Sequence, residues 1–359
     1  MTPHAHNMDL GMFALSAYHY HLPQDLIAQH PVAARDSSRL MIIDRSSGNI
    51  EEVPFAALYD ILSAGDALIL NDTRVIPARL LGKRSHGGEA EILLNRPLGD
   101  NLWEAMARPG KKLKPGCVVV FGDDFACEIV ATLEGGSKVV RLLFGGSAHA
   151  PNALDDMLAK YGQLALPHYI QREQVHSQDL ERYQTIYAKH PGAIAAPTAG
   201  LHFTRELLDR LAAKGVQEMS VTLHVGPGTF RPVQVEDIRQ HAMHKERCSI
   251  PDSTAQLLNA PRRGAKQLCV GTTACRAIES AADESGLVHP GDYDTQIFIY
   301  PGYRFKRVEA LLTNFHLPGS SLLMLVSALA GYELIKEAYA KAVAERFRFF
   351  SYGDAMLIL

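Results

Sequence analysis

The sequence predicts an α/β protein in which a larger α/β domain contains an inserted small β-barrel. Between residues 75 and 152, short apolar runs alternate with Gly, Pro and Asp clusters, at the roughly 8–12-residue spacing typical of a small barrel or sandwich. On either side, and most clearly over residues 195–359, strand-like and helix-like segments alternate, which indicates a partly parallel sheet covered by helices. We therefore assign residues 1–74 and 153–359 to the larger domain, and residues 75–152 to the barrel.

Composition and charge restrict the class of protein. The chain has 359 residues, of which 47% are hydrophobic and 21% charged, values typical of a soluble globular protein. No apolar run approaches the roughly 20 residues of a membrane span, so we expect no membrane partner. The five cysteines form no CxxC pair, which argues against a disulfide framework and a zinc ribbon and favours a cytoplasmic location. Residues 1–11 show no apolar periodicity and are expected to be a disordered extension.

The elements follow from apolar periodicity and from residues that start or stop helices. Thr204 is an expected N-cap and Gly215 an expected stop for one short helix. A helix is also predicted after Glu236 and Asp237, with His241 and His244 on one face. The other predicted helices are 22–28, 274–282, 320–330 and 332–346. The predicted strands are 40–44, 67–70, 90–94, 117–121, 126–130, 138–144, 216–225, 266–271, 295–300, 308–315 and 356–359.

Two Gly/Pro-rich turns lie within residues 195–231, and each contains or adjoins a histidine. His202 follows the first turn, and His224 precedes Gly226 and Gly228 in the second. Glycine permits close approach of a backbone to a ligand, and histidine titrates near neutral pH. The segment fits a binding cleft, although two ordinary connecting loops with surface histidines would give the same pattern.

Gly271, Thr272 and Thr273 stand where a strand meets a helix. The free N–H groups at such a helix start bind anions, so the turn is a candidate for a carboxylate or phosphate. The alternative is a plain turn with Thr273 as the N-cap.

Polar and basic residues mark three further candidate sites. Asp72 follows a buried strand at the junction of the two domains, where polar side chains often meet a ligand, or simply close the strand. Arg35 and Arg39 flank small polar residues and could bind an anion, or they could belong to a surface capping turn. Between Arg74 and Lys114 there are nine basic and four acidic residues, a net charge of +5 in a chain of net charge −3. A basic module of this kind can bind a polyanion, although a solvated face on a β-rich module would carry the same charge.

Taken together, long blocks of this sequence resemble the S-adenosylmethionine:tRNA ribosyltransferase-isomerase family of queuosine biosynthesis. The 67–82 block reads ALILNDTRVIPARLLG, the 221–233 block VTLHVGPGTFRPV, and the 313–323 block TNFHLPGSSLL. The remaining blocks are 35–40, 166–173, 181–204, 241–244, 270–280 and 349–359. Because so many blocks occur in order over nearly the whole chain, the resemblance is far more specific than any single motif.

The resemblance implies a monomeric enzyme with a larger α/β domain and an inserted barrel. It implies transfer and isomerisation of the ribosyl part of S-adenosylmethionine onto 7-aminomethyl-7-deazaguanine at the tRNA wobble position. The products are epoxyqueuosine in tRNA, adenine and methionine. S-adenosylmethionine is then a co-substrate, and neither a cofactor nor a metal is expected.

That chemistry needs acid–base groups, a site for S-adenosylmethionine and cations for tRNA. The candidate acid–base residues are His202, His224, His316 and Asp72. The candidate S-adenosylmethionine ligands are Gly226, Gly228, Gly271, Thr272, Thr273 and Arg276, with either Arg276 or the 271–273 turn holding the carboxylate. The candidate tRNA contacts are Arg35, Arg39, Arg74, Lys111, Lys112 and Lys114.

Two departures and two alternatives accompany this interpretation. Where the family pattern reads Thr-Ser-Val-Arg, this chain has Thr-Ala-Cys-Arg at residues 273–276. Pro261 is expected to end the helix before the 266–271 strand early. The first alternative is a metal-dependent hydrolase built on His202, His224, His241 and His244. The second is a non-catalytic RNA-binding protein whose function resides in the basic module.

Overall fold

The computed structural model describes residues 11–145, 153–167, 169–170, 177–226, 233–261 and 264–359. The strands are β1 Arg39–Ile43, β2 Ile50–Pro54, β3 Ala67–Asn71, β4 Thr73–Val75, β5 Arg79–Arg84, β6 Glu89–Gly99, β7 Leu102–Arg108, β8 Val118–Gly122, β9 Phe125–Thr132, β10 Lys138–Phe144, β11 Gly162–Gln163, β12 His190–Ala193, β13 Gln217–Leu223, β14 Glu246–Ile250, β15 Gln267–Val270, β16 Gly291–Thr295, β17 Ala310–Asn314 and β18 Ala355–Ile358. The helices are α1 Leu58–Ile61, α2 Ala153–Tyr161, α3 Ser177–Arg182, α4 Arg205–Ala213, α5 Asp252–Asn259, α6 Thr272–Ala281, α7 Ser321–Ala330 and α8 Tyr332–Ala344.

The larger domain is built on a mixed sheet of nine strands within these ranges. Their order is β16-β14-β13-β3-β15-β17-β18-β1-β2. The central strands β13, β3, β15 and β17 run parallel, whereas β18 is antiparallel to β17. Alternate residues of a strand face opposite sides, so Met41 and Ile43 pack with α6, α7 and α8, whereas Leu40 and Ile42 pack with α1 and α4. The sheet is therefore covered by helices on both faces.

The barrel is a closed ring of six antiparallel strands. The ring runs β5-β6-β7-β10-β9-β8 and closes through pairing of β5 with β8. Trp103, Phe125 and Ile129 belong to its apolar core. The prediction of a mixed α/β protein with an inserted small barrel is confirmed.

Two short strands, β4 and β12, lie where the chain passes between the two units. β4 leads into the barrel, β12 leads back, and the two strands pair with each other in parallel. Beyond residue 152, β11 pairs with β5, and Leu158 of α2 lies in the barrel core. The apolar core of the barrel therefore includes residues that the predicted division at 152/153 assigned to the larger domain.

Most predicted elements are confirmed, and three are wrong. Thr204 caps α4 by accepting a hydrogen bond from the Leu207 N–H (3.1 Å), as its position predicted. Residues 22–28 form only the 3₁₀ turn Gln24–Leu26, because a proline precedes it and extended backbone follows. The strand predicted at 295–300 is instead β16, Gly291–Thr295, which ends where the predicted strand would begin. Its residues are mostly polar and pair with β14 at the sheet edge.

The helix predicted after Glu236 is also wrong. Asp237 accepts a hydrogen bond from the Arg239 N–H, but it caps only the 3₁₀ turn Ile238–Gln240. His241 already has extended backbone, so His241 and His244 do not share a helix face. No helix in the described part of the chain is both long and apolar enough to cross a membrane.

Candidate functional site

The four parallel strands of the larger sheet end at one edge, and their carboxyl ends carry the candidate residues. Asp72 follows β3, His224 follows β13, Gly271 follows β15 and His316 lies just beyond β17. In open α/β sheets, ligands bind in the crevice outside such carboxyl ends. The topology therefore gathers residues that are far apart in sequence.

A cleft at this edge, here called the strand-end cleft, has uncharged walls among the described residues. The cleft and the solvent at its mouth together occupy about 970 Å³. Its lining residues are Tyr169, Ala196, Pro197, Thr198, Ala199, Val225, Gly271, Thr272, Thr273, Thr313, Asn314, Phe315, His316, Leu317, Pro318, Ser320, Leu322, Phe350 and Ser351. Tyr169 stacks on Phe350 with ring centroids 4.4 Å apart. Largely apolar walls with a few polar groups are typical of small-molecule sites.

The 271–273 turn is part of this cleft, as the sequence predicted. Gly271 has φ of 93°, a left-handed conformation that glycine adopts without strain and that turns the chain from β15 into α6. α6 begins at Thr272, and no side chain caps its first turn. Thr273 is therefore not the N-cap. The first N–H groups of α6 are available for an anion in the cleft.

His202 lies behind the cleft wall rather than on its surface. Its Nδ1 lies 2.7 Å from Ser38 Oγ and its Nε2 3.1 Å from Asn314 Nδ2. The ring stacks on Phe55 and is 4% exposed. Burial lowers the pKa of His202 to about 3, so the ring is neutral at physiological pH. This geometry supports the positioning of Asn314 more directly than proton transfer to a ligand.

His316 lines the strand-end cleft and is also neutral. Its Nε2 lies 3.1 Å from Thr313 Oγ1, and its backbone N–H donates to Tyr339 Oη (2.9 Å). Burial lowers the pKa of His316 to about 3. A neutral imidazole can donate a hydrogen bond to a ligand, but it does not supply an imidazolium proton at neutral pH.

A second cleft, here called the barrel-side cleft, lies between the barrel and the larger domain. Its lining residues are Ile76, Asn95, Arg96, Pro97, Trp103, Leu154, Asp155, Leu158, Pro191, Gly192, His224, Gly226, Lys245, Glu246, Arg247 and Asp294. Unlike the strand-end cleft, it has several charged side chains. The two clefts meet at the segment after β13, since Val225 faces the first while His224 and Gly226 face the second.

His224 and Asp72 are part of one hydrogen-bonded group beside the barrel-side cleft. His224 Nδ1 lies 2.8 Å from Thr73 Oγ1. Asp72 accepts a hydrogen bond from Thr222 Oγ1 (2.6 Å) and lies 3.6 Å from His190 Nε2. Burial, with the nearby charges of Arg247 and His190, lowers the pKa of His224, and Asp72 opposes that shift. His224 is therefore neutral at pH 7 and only partly buried, as a general base must be.

Arg276 does not line the strand-end cleft. It is 2% exposed, and its Nη1 forms a short hydrogen-bonded ion pair with Glu246 Oε2. The other oxygen of Glu246 accepts a hydrogen bond from the Gly226 N–H (3.1 Å). Of the two sites the sequence offered for a carboxylate, the structure brings only the 271–273 turn to the cleft. Gly228 lies outside the described residues.

The candidate tRNA contacts divide into two groups. Arg35 donates to the carbonyls of Leu201 (3.2 Å) and Glu181 (2.9 Å), and Arg39 forms a bidentate pair with Glu52 at 2.6 Å. These guanidinium groups are occupied within the protein. Arg74 on β4 is exposed, as are Lys111, Lys112 and Lys114 in the turn between β7 and β8. The exposed group is available for phosphates.

The four histidines of the hydrolase alternative do not gather. His202 lies beside Ser38 and His224 beside Thr73, whereas His241 packs against Phe298. Among the described residues, no three His, Cys, Asp or Glu side chains form a group that could hold a metal ion.

The sequence reasoning missed two residues of the candidate site. Asn314 is buried at the end of β17, with its Oδ1 left without a partner among the residues the structure describes. Tyr169 contributes a ring to the cleft wall from a loop that is distant in sequence. The signal for Asn314 was its position at the end of an apolar strand. Tyr169 lies in the 166–173 block of the family resemblance, but no motif or spacing marked its ring as part of a cleft.

The fold defines an α/β protein with an inserted barrel, and its two clefts could each hold a ligand. Comparison with known proteins gives the family. The family model described as queuosine biosynthesis protein matches residues 15–358, and the chain belongs to this family.

Relatives and a solved structure agree with that assignment. An S-adenosylmethionine:tRNA ribosyltransferase-isomerase of Symbiobacterium thermophilum is 53% identical over 96% of this chain and 99% of the relative. A relative of the same name from Acetivibrio thermocellus is 49% identical over the same shares. The crystal structure of S-adenosylmethionine tRNA ribosyltransferase from Thermotoga maritima is 36% identical, with a TM-score of 0.54, and the match covers 96% of this chain and 100% of that one. The resemblance inferred from the sequence blocks is confirmed.

Proposed function

We propose that this enzyme transfers and isomerises the ribosyl group of S-adenosylmethionine onto 7-aminomethyl-7-deazaguanine at the wobble position of tRNA. The products are epoxyqueuosine in tRNA, adenine and methionine. The observation that carries the proposal is the match of nearly the whole chain to relatives that share one name. Membership in that family favours this function over the hydrolase and the non-catalytic RNA-binding protein.

The two clefts suit the two substrates. S-adenosylmethionine fits the strand-end cleft, where apolar walls, stacked rings and the start of α6 are suited to adenosine and a carboxylate. The modified base of tRNA enters the barrel-side cleft, where Trp103 offers a ring and the half-exposed carboxylate of Asp294 offers an acceptor. The reacting groups then meet near residues 224–226, which border both clefts.

The chemistry assigns different tasks to the two clefts. The sulfonium acidifies protons on the adjacent 5′ carbon, and we assign their removal to neutral His224, beside the border of the two clefts. His316 lines the cleft in which adenine is released, and its neutral ring can stabilise the departing base through a hydrogen bond. The nucleophile is the aminomethyl group of the tRNA, so the protein need not supply one.

Release of adenine is the direct test of the proposed function. We expect purified enzyme with S-adenosylmethionine to release adenine when tRNA carries the aminomethyl base, and to release only background amounts with the same tRNA unmodified. Free adenine is measured by chromatography. Equal release from both tRNAs would remove the aminomethyl group from the mechanism.

The exposed lysines of the barrel should supply much of the affinity for tRNA. We expect the triple variant Lys111→Glu, Lys112→Glu, Lys114→Glu to weaken the binding of every tRNA by a similar factor. Ammonium groups on a turn contact phosphates and do not distinguish one base from another. In a plot of the logarithm of the binding constant against the logarithm of the salt concentration, the slope should become shallower. The change should be about one unit for each phosphate that the variant no longer neutralises. Binding is measured across a salt series. A single Lys112→Glu variant is compared with Lys336→Glu, a matched charge reversal at an exposed position on α8, outside the barrel. An unchanged slope in the triple variant would place the tRNA elsewhere.

A further inference from the structure

Two buried polar atoms in the strand-end cleft lack partners within the described ranges. Asn314 is 3% exposed and Thr273 is 7% exposed, yet Asn314 Oδ1 and Thr273 Oγ1 accept no hydrogen bond there. Both residues line the same cleft. A buried polar atom without a partner is costly, so a pair of them in one cleft points to a ligand that satisfies both.

The orientation of the Asn314 amide follows from its neighbours. Asn314 Nδ2 lies 3.1 Å from the carbonyl oxygen of Phe350, which can only accept a hydrogen bond. The second Nδ2 hydrogen is directed to His202 Nε2, so that His202 carries its proton on Nδ1 and donates to Ser38 Oγ. Both amide hydrogens are thereby used within the protein. The acceptor Oδ1 is then the one polar side-chain atom of Asn314 that has no partner among the described residues.

The neighbouring groups select the part of the ligand that these acceptors bind. Gly271 N donates to the Leu312 carbonyl oxygen (2.7 Å), so the start of α6 and the end of β17 lie side by side. One place thus combines N–H donors for a carboxylate with acceptors for an ammonium group, as an α-amino acid requires.

We propose that Asn314 and Thr273 bind the α-ammonium group of the methionine part of S-adenosylmethionine, while the first N–H groups of α6 bind its carboxylate. This assignment rests on the proposed function. Asn314 and Thr273 are then specificity residues that require an intact amino acid on the sulfonium, and His202 is a positioning residue for Asn314.

The test compares three ligands on the full-length protein by calorimetry. They are S-adenosylhomocysteine, its analogue without the α-amino group, and 5′-methylthioadenosine, which lacks the amino acid. We expect wild type to bind the deamino analogue about tenfold more weakly than S-adenosylhomocysteine, the usual loss of a hydrogen bond to a charged group. Thr273→Val should weaken the binding of S-adenosylhomocysteine by a similar factor and leave the affinities for the other two ligands unchanged.

Matched variants separate binding from folding. Thr254→Val in α5 removes a buried hydroxyl that donates to the Ser220 carbonyl, outside the cleft, and should change no ligand affinity. Asn314→Ala should show the same ligand selectivity as Thr273→Val, with melting temperatures recorded for both. Equal weakening of 5′-methylthioadenosine and S-adenosylhomocysteine by Thr273→Val would overturn the assignment, as would full affinity of wild type for the deamino analogue. Either result, with adenine release intact, would leave the proposed function standing.

Discussion

We expect His224→Ala to lower the rate of adenine release about 10²–10⁴-fold, equivalent to roughly 3–5 kcal/mol of transition-state stabilisation. His224 is the candidate histidine that is only partly buried, and its Nδ1 is held 2.8 Å from Thr73 Oγ1. Because its pKa is lowered, the neutral base persists below the usual range for histidine. The acid limb of kcat/KM against pH should therefore lie below about 6.5 in wild type, and disappear in the variant.

Single-turnover rates with precursor-modified tRNA measure this effect. His289→Ala is the control, because His289 is an exposed histidine paired with Asp283 and lines neither cleft. A His224→Ala enzyme with near-normal rates and an unchanged pH profile would show that this histidine is structural.

Arg276→Met should destabilise the larger domain by about 3–5 kcal/mol, the usual cost of leaving one member of a buried ion pair unpaired. The side chains of Arg276 and Glu246 are 3% and 4% exposed, so neither charge can recover its hydration in the folded state. The free energy of unfolding is measured by urea denaturation.

A comparison of pairs tests the reason for this loss. Adding Glu246→Gln to Arg276→Met should recover part of the stability, because the uncompensated charge is removed. Arg141→Met breaks a pair with Glu128 on the barrel surface and should cost about 0–1 kcal/mol. If Arg276→Met costs no more than Arg141→Met, the buried pair is not a source of stability.

The elements with strong local signals were predictable from sequence. The strand at 138–144 depends on alternation of apolar and polar residues, and it occurs as expected. The cap at Thr204 depends on a backbone N–H only three residues away, and it also occurs as expected. The failures occurred where tertiary pairing decides the structure. β16 has few apolar residues and exists because β14 supplies its hydrogen bonds. The acidic start near Asp237 caps a single turn because no long apolar face follows it.

The candidate site was predictable in its residue types but not in their partners. The turn at 271–273 is marked by a strand, glycine and threonines within a few residues. By contrast, Arg276 is paired with a carboxylate 30 positions away, and His202 contacts Asn314 112 positions away. A single sequence gives no signal for such distances. It therefore identified Arg276 and His202 as polar residues near a site, but not the contacts that fix their charge state and direction.

The position of β18 has a consequence for the order of folding during synthesis. β18 separates β17 from β1, and Arg39 bonds to Asp354, 315 positions further along the chain. The barrel strands, in contrast, all come from residues 79–163. The ribosome therefore releases all the barrel strands while β1 still lacks its neighbour β18. The barrel can fold early, whereas the apolar strand β1 must wait, with an unpaired edge, until residue 358 has been made. During that interval the free edge of β1 is open to pairing with the strands of other chains.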